Sequence, residues 1–260
     1  MKKTFSSKKS AFSLIELSIV LIIIGLLIAG ITGGASLIKS SELRSIMSEA
    51  RSYAVSVNSF FTQYDRYPGD SDIAVGSNSK NVGDRDNTIE YLANAGANTG
   101  VSEGLDAWND LKDIGAIDLS LTLEQSQVGL ATTGNGKSNI DSMVPVTNIP
   151  GSKIKGAGWA FDYADTQNVV VITGTTVAGK TVLINDTTYG NRAATGIITP
   201  GDSLSIDSKI DDGKANSGTV RGYDGSTVSE AGKCSSTTSY TVAEGSKKNC
   251  VLAFRVDVSS

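Results

Sequence analysis

Three sets of side chains in this chain have the types and spacing to do chemistry, and the first is a single carboxylate. Glu16 heads a stretch, from Leu17 to Ile38, in which no residue is charged, and no lysine, arginine or histidine lies between Ala11 and Lys39. An ionised carboxylate in hydrocarbon costs on the order of 3 kcal/mol even on lenient insertion scales, so a chain that keeps one there needs a partner for it. The second set is acidic. Residues 83–90 read Gly-Asp-Arg-Asp-Asn-Thr-Ile-Glu, offering Asp84 and Asp86 as oxygen ligands, and Asp207, Asp211 and Asp212 form another group. Such oxygens suit calcium, which takes about six to eight of them. Neither group completes an EF-hand loop, Arg85 repels a cation, and solvated turns and helix caps are the competing reading. The third set is Cys234 and Cys250, the only cysteines.

Much chemistry is excluded. The chain has no histidine, which removes the Ser-His-Asp and Cys-His arrangements and histidine-ligated zinc. Lys209 stands among aspartates, which favours an ion pair or a capped helix end over a neutral, nucleophilic amine. No glycine-rich phosphate loop of the required spacing is present, so neither an enzyme nor a bound cofactor is expected.

The elements that must position Glu16 begin with a membrane span. About 22 uncharged residues at about 1.5 Å each give roughly 33 Å, enough to cross a bilayer core. A secretory signal has a shorter apolar core followed by a cleavage site, whereas this one runs on into an amphipathic helix. Lys2, Lys3, Lys8 and Lys9 precede it, so the N-terminus stays in the cytoplasm and the bulk of the chain lies on the far side. One candidate partner for Glu16 is a new α-amino group. Cutting between Ala11 and Phe12 leaves Phe12 with a cationic terminus, and a neighbouring copy is a better donor than the frayed end of the same helix. The alternative is that Glu16 snorkels to the interface.

The lysine-rich leader, Ala11, Phe12-Ser13-Leu14-Ile15-Glu16-Leu17 and the apolar run that follows resemble the class III signal of type IV prepilins and of type II secretion pseudopilins. The resemblance implies cleavage after Ala11 by a prepilin peptidase, N-methylation of Phe12, and packing of Glu16 against a neighbour's terminal amine during assembly. The chain departs from the family in having alanine where glycine is usual at position 11. It also reads Gly33-Gly34 where many pilins have proline.

Past the membrane, Leu43, Ile46, Ala50, Tyr53, Val57, Phe60 and Tyr64 recur at intervals of three and four, which predicts an amphipathic helix with one apolar face. Glu42, Arg44, Glu49, Arg51 and Asn58 fall elsewhere, and Pro68-Gly69 ends the pattern. A single helix from about Ser13 to Asp65 is expected, with Gly30, Gly33 and Gly34 as a hinge or as sites of close helix packing. The remainder is rich in Gly, Ser, Thr, Asn and Asp. Strands are expected at 159–163, 169–173, 181–184 and 251–258, the last alternating so that one face lies on the core and the other meets water. The fold class is α+β, a type IV pilin-like long helix packed on an antiparallel sheet domain. The expected organisation is a leader at 1–11, a transmembrane half-helix at 12–38, an amphipathic half at 39–66 and a β-rich soluble domain at 67–260.

Residues 64–70 also resemble the turn that ends the pilin helix. Residues 108–117 resemble a short amphipathic helix common in pilin-like proteins, with Trp108, Leu111 and Ile114 on one face and Gly115 as its cap. Residues 206–213 resemble a distal segment of one group of such proteins. In an oxidising periplasm Cys234 and Cys250 most simply pair as a disulfide, free thiols or a metal pair being the alternatives. The resemblance implies a surface loop closed by that bond.

The net charge of −4 becomes −8 once a leader with four lysines and no acid is removed, which does not suit nonspecific nucleic-acid binding. Lys247-Lys248 are a local exception. The implied protein is a structural subunit of a pilus or secretion pseudopilus. It is made in the inner membrane with a periplasmic domain, meets an inner-membrane assembly platform and assembles with other pilin or pseudopilin subunits into a periplasmic or extracellular filament. The rival is a single-pass anchored periplasmic binding protein or enzyme that never polymerises.

Overall fold

The computed structural model describes residues 13–72, 75–77, 83–91, 102–118, 131–132, 138–139, 142–180, 182–184, 191–226, 233–244 and 247–257. The chain divides into two compact units, Met1–Glu42 and Leu43–Ser260. Helix α1 spans Leu14–Tyr64, so the three glycines expected to weaken it lie within an unbroken element.

In the second unit the apolar stripe of α1 meets the core as its spacing requires. Ile46, Ala50, Val57 and Phe60 are buried, while Leu43, Tyr53 and Tyr64 pack against the same core from its edge. The helix stops where Asp65 turns left-handed (φ 53°), its N–H still bonded to the Phe61 carbonyl at 2.8 Å. Gly69 (φ 84°) then passes so close to the Glu103 carbonyl that a Cβ would collide with it, and only glycine satisfies both demands.

Helix α2 spans Glu103–Asp113, starting five residues before the expected segment. Ser102 is its N-cap, its Oγ accepting the Leu105 N–H at 3.2 Å. At the far end the Gly115 N–H bonds the Lys112 carbonyl and the Ala116 N–H bonds the Leu111 carbonyl. With Gly115 at φ 70° this is a Schellman end, the cap expected of that glycine.

Strands β1 (Ala131–Thr132) and β2 (Ser138–Asn139) form a short antiparallel ladder. The principal sheet contains β3 (Gly158–Ala164), β4 (Gln167–Thr173), β5 (Val220–Asp224) and β8 (Cys250–Arg255) in the order β3-β4-β8-β5, antiparallel throughout. Asp165 and Thr166, both at positive φ, close the β3–β4 hairpin, as a two-residue primed turn requires. Strands β6 (Ser235–Ser236) and β7 (Ser239–Tyr240) form another short ladder. Helix α3, Pro200–Ile210, lies between β4 and β5 in the chain. Thr199 caps it, its Oγ1 accepting the Asp202 N–H, and proline occupies the first helical turn, where a missing N–H costs nothing.

The sheet corrects one expectation. Strand β8 does not turn a face to water, because Cys250 to Phe254 are all buried. Trp159, Phe161, Val170, Ile172, Leu252 and Phe254 share a core with the α1 stripe and with Trp108 and Leu111 of α2. Ala160, Val169, Val171, Val251 and Ala253 form a second core with Met143, Ile149, Leu183, Ile184, Ala193 and Ala194. Irregular chain therefore covers the other face. The expected strand at 181–184 belongs to this cover, with Val182 forming one isolated bridge to Arg192 and Thr181 outside the described residues. Val258, the last residue of the expected final strand, lies outside them too.

Candidate functional site

Two arrangements carry functional chemistry, one in each unit. In the first, Leu14, Ile31 and Leu37 are 86%, 71% and 74% exposed, and this part of α1 is long and apolar enough to cross a membrane. A Cβ added at Gly25, Gly30, Gly33 or Gly34 would meet nothing within 4 Å, so these glycines leave bare backbone on the helix surface. Two polar side chains of the stretch are satisfied internally, as hydrocarbon favours. Ser18 Oγ donates to the Ile15 carbonyl at 2.9 Å, and Thr32 Oγ1 donates to the Ile28 and Ala29 carbonyls.

Glu16 is exposed at the head of this helix. Its Oε2 accepts the Ser13 N–H at 2.9 Å, and Ser13 Oγ accepts the Ile15 N–H at 3.3 Å. Ser13-Leu14-Ile15-Glu16 is therefore a capping box, with the carboxylate also at the positive end of the helix dipole. Sequence reasoning sought only a cationic partner and missed this backbone one, although Ser-x-x-Glu ahead of an apolar run is its signature. Ala11 and Phe12, the expected cleavage and methylation positions, lie outside the described residues.

In the second unit Glu49, assigned from the pattern to the side away from the stripe, binds the spine to the sheet domain. Its Oε2 accepts Trp159 Nε1–H at 2.8 Å and Ser152 Oγ–H at 2.6 Å, and its Oε1 accepts the Lys153 N–H at 3.1 Å. Burial, with the Glu49 charge beside it, pushes the Tyr53 phenol well up. Tyr53 stacks edge-on to Trp108 and Trp159, at 4.9 and 5.6 Å between centroids.

The acidic segments are also organised by backbone donors. Asp84 comes together with Asp70 and Glu103, one oxygen of each lying within 4.8 Å of the others, and Asp86 falls outside that group. Asp70 accepts the Arg85 and Asn87 N–H groups at 2.5 and 2.8 Å, and Glu103 accepts those of Asp84 and Glu90 at 3.3 and 3.1 Å. Asp86 Oδ1 accepts the Thr88 N–H, an Asx turn, and Arg85 pairs with Asp72. Burial pushes the Glu103 carboxyl up to about 9 and Asp70 up to about 6, the neighbouring acids adding to both. In the second group Asp207 accepts Tyr240 O–H at 2.8 Å and the Gly213 N–H at 3.1 Å. Asp211 accepts the Thr219 N–H, and Asp212 accepts the Lys214 N–H and the Ser217 Oγ–H. Cys234 and Cys250 form a disulfide, and Tyr240, inside the loop it closes, fixes that loop to α3 through Asp207.

Residues 6–32 match the prokaryotic N-terminal methylation motif, the class III signal of type IV prepilins and pseudopilins. The matched span contains Phe12, Ser13 and Glu16 and ends before Gly33. No curated protein and no solved structure matches the chain.

Proposed function

We propose that this chain is a structural subunit of a type IV pilus or type II secretion pseudopilus. It is cut after Ala11 by a prepilin peptidase, N-methylated at Phe12 and polymerised through α1. The observation that carries this reading is an uncovered apolar helix with one carboxylate at its head, inside a methylation motif. In lipid alone that carboxylate gains only the Ser13 N–H; beside a second copy its other oxygen gains a cationic amine. The N-terminal helix holds the unassembled subunit in the inner membrane, with residues 67–260 in the periplasm, and the assembly platform draws it into the filament. Calcium at Asp84 and Asp86 has no part in this reading. Asp70 and Glu103 already accept backbone N–H groups, and Asp86 serves a turn.

Intact-mass measurement of the natural product tests processing, with loss of residues 1–11 and gain of one methyl group expected. Glu16→Ala is expected to leave membrane insertion intact and reduce filament yield at least tenfold. A product that begins at Met1 and stays singly dispersed in the bilayer refutes the proposal and favours the anchored, non-polymerising protein.

A further inference from the structure

Charge is distributed unevenly along α1 within the second unit. Around its first turns there, Arg44, Arg51, Lys153 and Lys155 are exposed, and none of them forms an ion pair among the described residues. The Glu49 carboxylate accepts the Ser152 Oγ–H and the Lys153 N–H, which fixes the two lysines beside the helix. At about 100° per residue Arg44 and Arg51 leave α1 on the side opposite Glu49, so cations stand on both flanks. The acids of this stretch are Glu42 and the already engaged Glu49.

The far end of α1 is acidic. Asp65, Asp84 and Asp86 are exposed there, the last two held in place by the N–H groups of Arg85 and Asn87 on Asp70. Arg66 and Arg85, the cations of that end, both pair with Asp72. From Leu43 to Tyr64 the helix rises about 32 Å, which separates the two signs.

The cationic end is the one tethered to the bilayer. Leu43 follows Ile38, the last residue of the uncharged run, by five residues, and that length of chain spans at most about 17 Å. This end therefore stays near the headgroups of the leaflet that α1 enters. Each lysine or arginine beside an anionic leaflet is worth about fivefold in affinity.

An apolar knob stands beside the lysines. Val146 is 66% exposed at a φ of 68°, a conformation that a β-branched residue keeps only where its surroundings impose it. The Ile149 carbonyl accepts the Val146 N–H at 3.0 Å, and the Val144 carbonyl accepts those of Thr147 and Asn148. A Cβ at Gly151 would stand 2.6 Å from Val146 Cγ2, so the knob lies next to the Ser152 contact with α1. Apolar side chains accompanied by lysines suit the boundary between headgroups and acyl chains.

We infer that Arg44, Arg51, Lys153 and Lys155, with Val146 as an apolar contact, form a surface for anionic phospholipid headgroups and seat the second unit on the leaflet that α1 enters. This surface rests on the membrane-anchored part of the reading above and does not need polymerisation.

The test uses the full chain in vesicles, with an environment-sensitive fluorophore on Thr147→Cys, an exposed position in a chain whose own cysteines are joined. Quenching by lipid spin-labelled at its headgroup is expected to be at least threefold greater in phosphatidylcholine containing about one third phosphatidylglycerol than in phosphatidylcholine alone. The excess is expected to vanish in about 1 M salt, where the Debye length is about 3 Å. Lys153→Glu with Lys155→Glu is expected to remove it without moving the thermal midpoint. Val146→Asn, which puts a residue tolerant of positive φ at that position, is expected to reduce it at least twofold without lowering the midpoint. Equal quenching in the two lipids overturns the inference, as does an excess that survives either substitution. An excess that grows with protein density at fixed lipid composition marks a second copy as the occupant and also overturns it. A chain that does not float with the vesicles overturns the anchored reading itself, and this surface with it.

Discussion

Replacing Glu49 with alanine should loosen the spine from its sheet domain, by an amount the local geometry sets. The carboxylate accepts three hydrogen bonds, and the cost of losing each depends on whether water can replace it. The Lys153 N–H is exposed and recovers its bond from solvent at little cost. Trp159 is fully buried, and an orphaned indole N–H there costs about 1–3 kcal/mol. Ser152 Oγ is half-buried and loses a charge-assisted bond, roughly another 1 kcal/mol. The sum is about 2–4 kcal/mol, and in a unit of this size each kcal/mol moves the midpoint by about 2–4 °C. A fall of about 4–16 °C is therefore expected for Glu49→Ala, followed by circular dichroism and tryptophan emission of the full chain in detergent. Glu49→Gln keeps one acceptor and should lose about half as much. A midpoint shift below about 2 °C for the alanine variant would show that the three bonds are exchanged for water without loss, and the clamp argument would be wrong.

Burial raises Glu103 to about 9, Asp162 to about 7 and Asp70 to about 6. Each group takes up its proton more readily when folded than unfolded, so stability is fully present below about pH 4 for these groups. It is lost as pH rises through those three values. Thermal midpoints measured from pH 5 to pH 9 should fall, and Glu103→Gln should abolish the upper part of the fall; a flat profile refutes the assignment. Cys234→Ser opens a loop whose ends are 16 positions apart and should cost roughly 3 kcal/mol by the chain-entropy estimate. The loss should appear under oxidising conditions only, since reductant opens the same loop in the parent chain; equal melting with and without reductant refutes it.

Features written in local spacing were legible from the residues alone. The membrane-length helix, its continuation to Tyr64 and the apolar stripe follow from hydropathy and a 3.6-residue period, which depend on near neighbours in the chain. The turn at Pro68-Gly69 and the Gly115 cap follow from backbone freedom peculiar to those residues. Strands 159–163 and 169–173 were found within two residues of their ends for the same reason. Helix α3 was missed although Thr199-Pro200 with Asp202 is a start signal of the same local kind.

Tertiary structure decided what distant residues do to one another. The pattern of β8 cannot say whether its second face meets water, because Met143, Ile149, Leu183, Ile184, Ala193 and Ala194 supply the cover from far away in sequence. Glu49 looks like a solvated charge on a helix wheel until Trp159, 110 residues on, brings its indole N–H to it. Asp84 and Asp86 look like paired ligands by spacing, yet the fold gathers Asp84 with Asp70 and Glu103 while Asp86 falls outside that group. A one-dimensional pattern records which side chains share a face, whereas burial and hydrogen-bond partners depend on which other face arrives, and only the folded chain determines that.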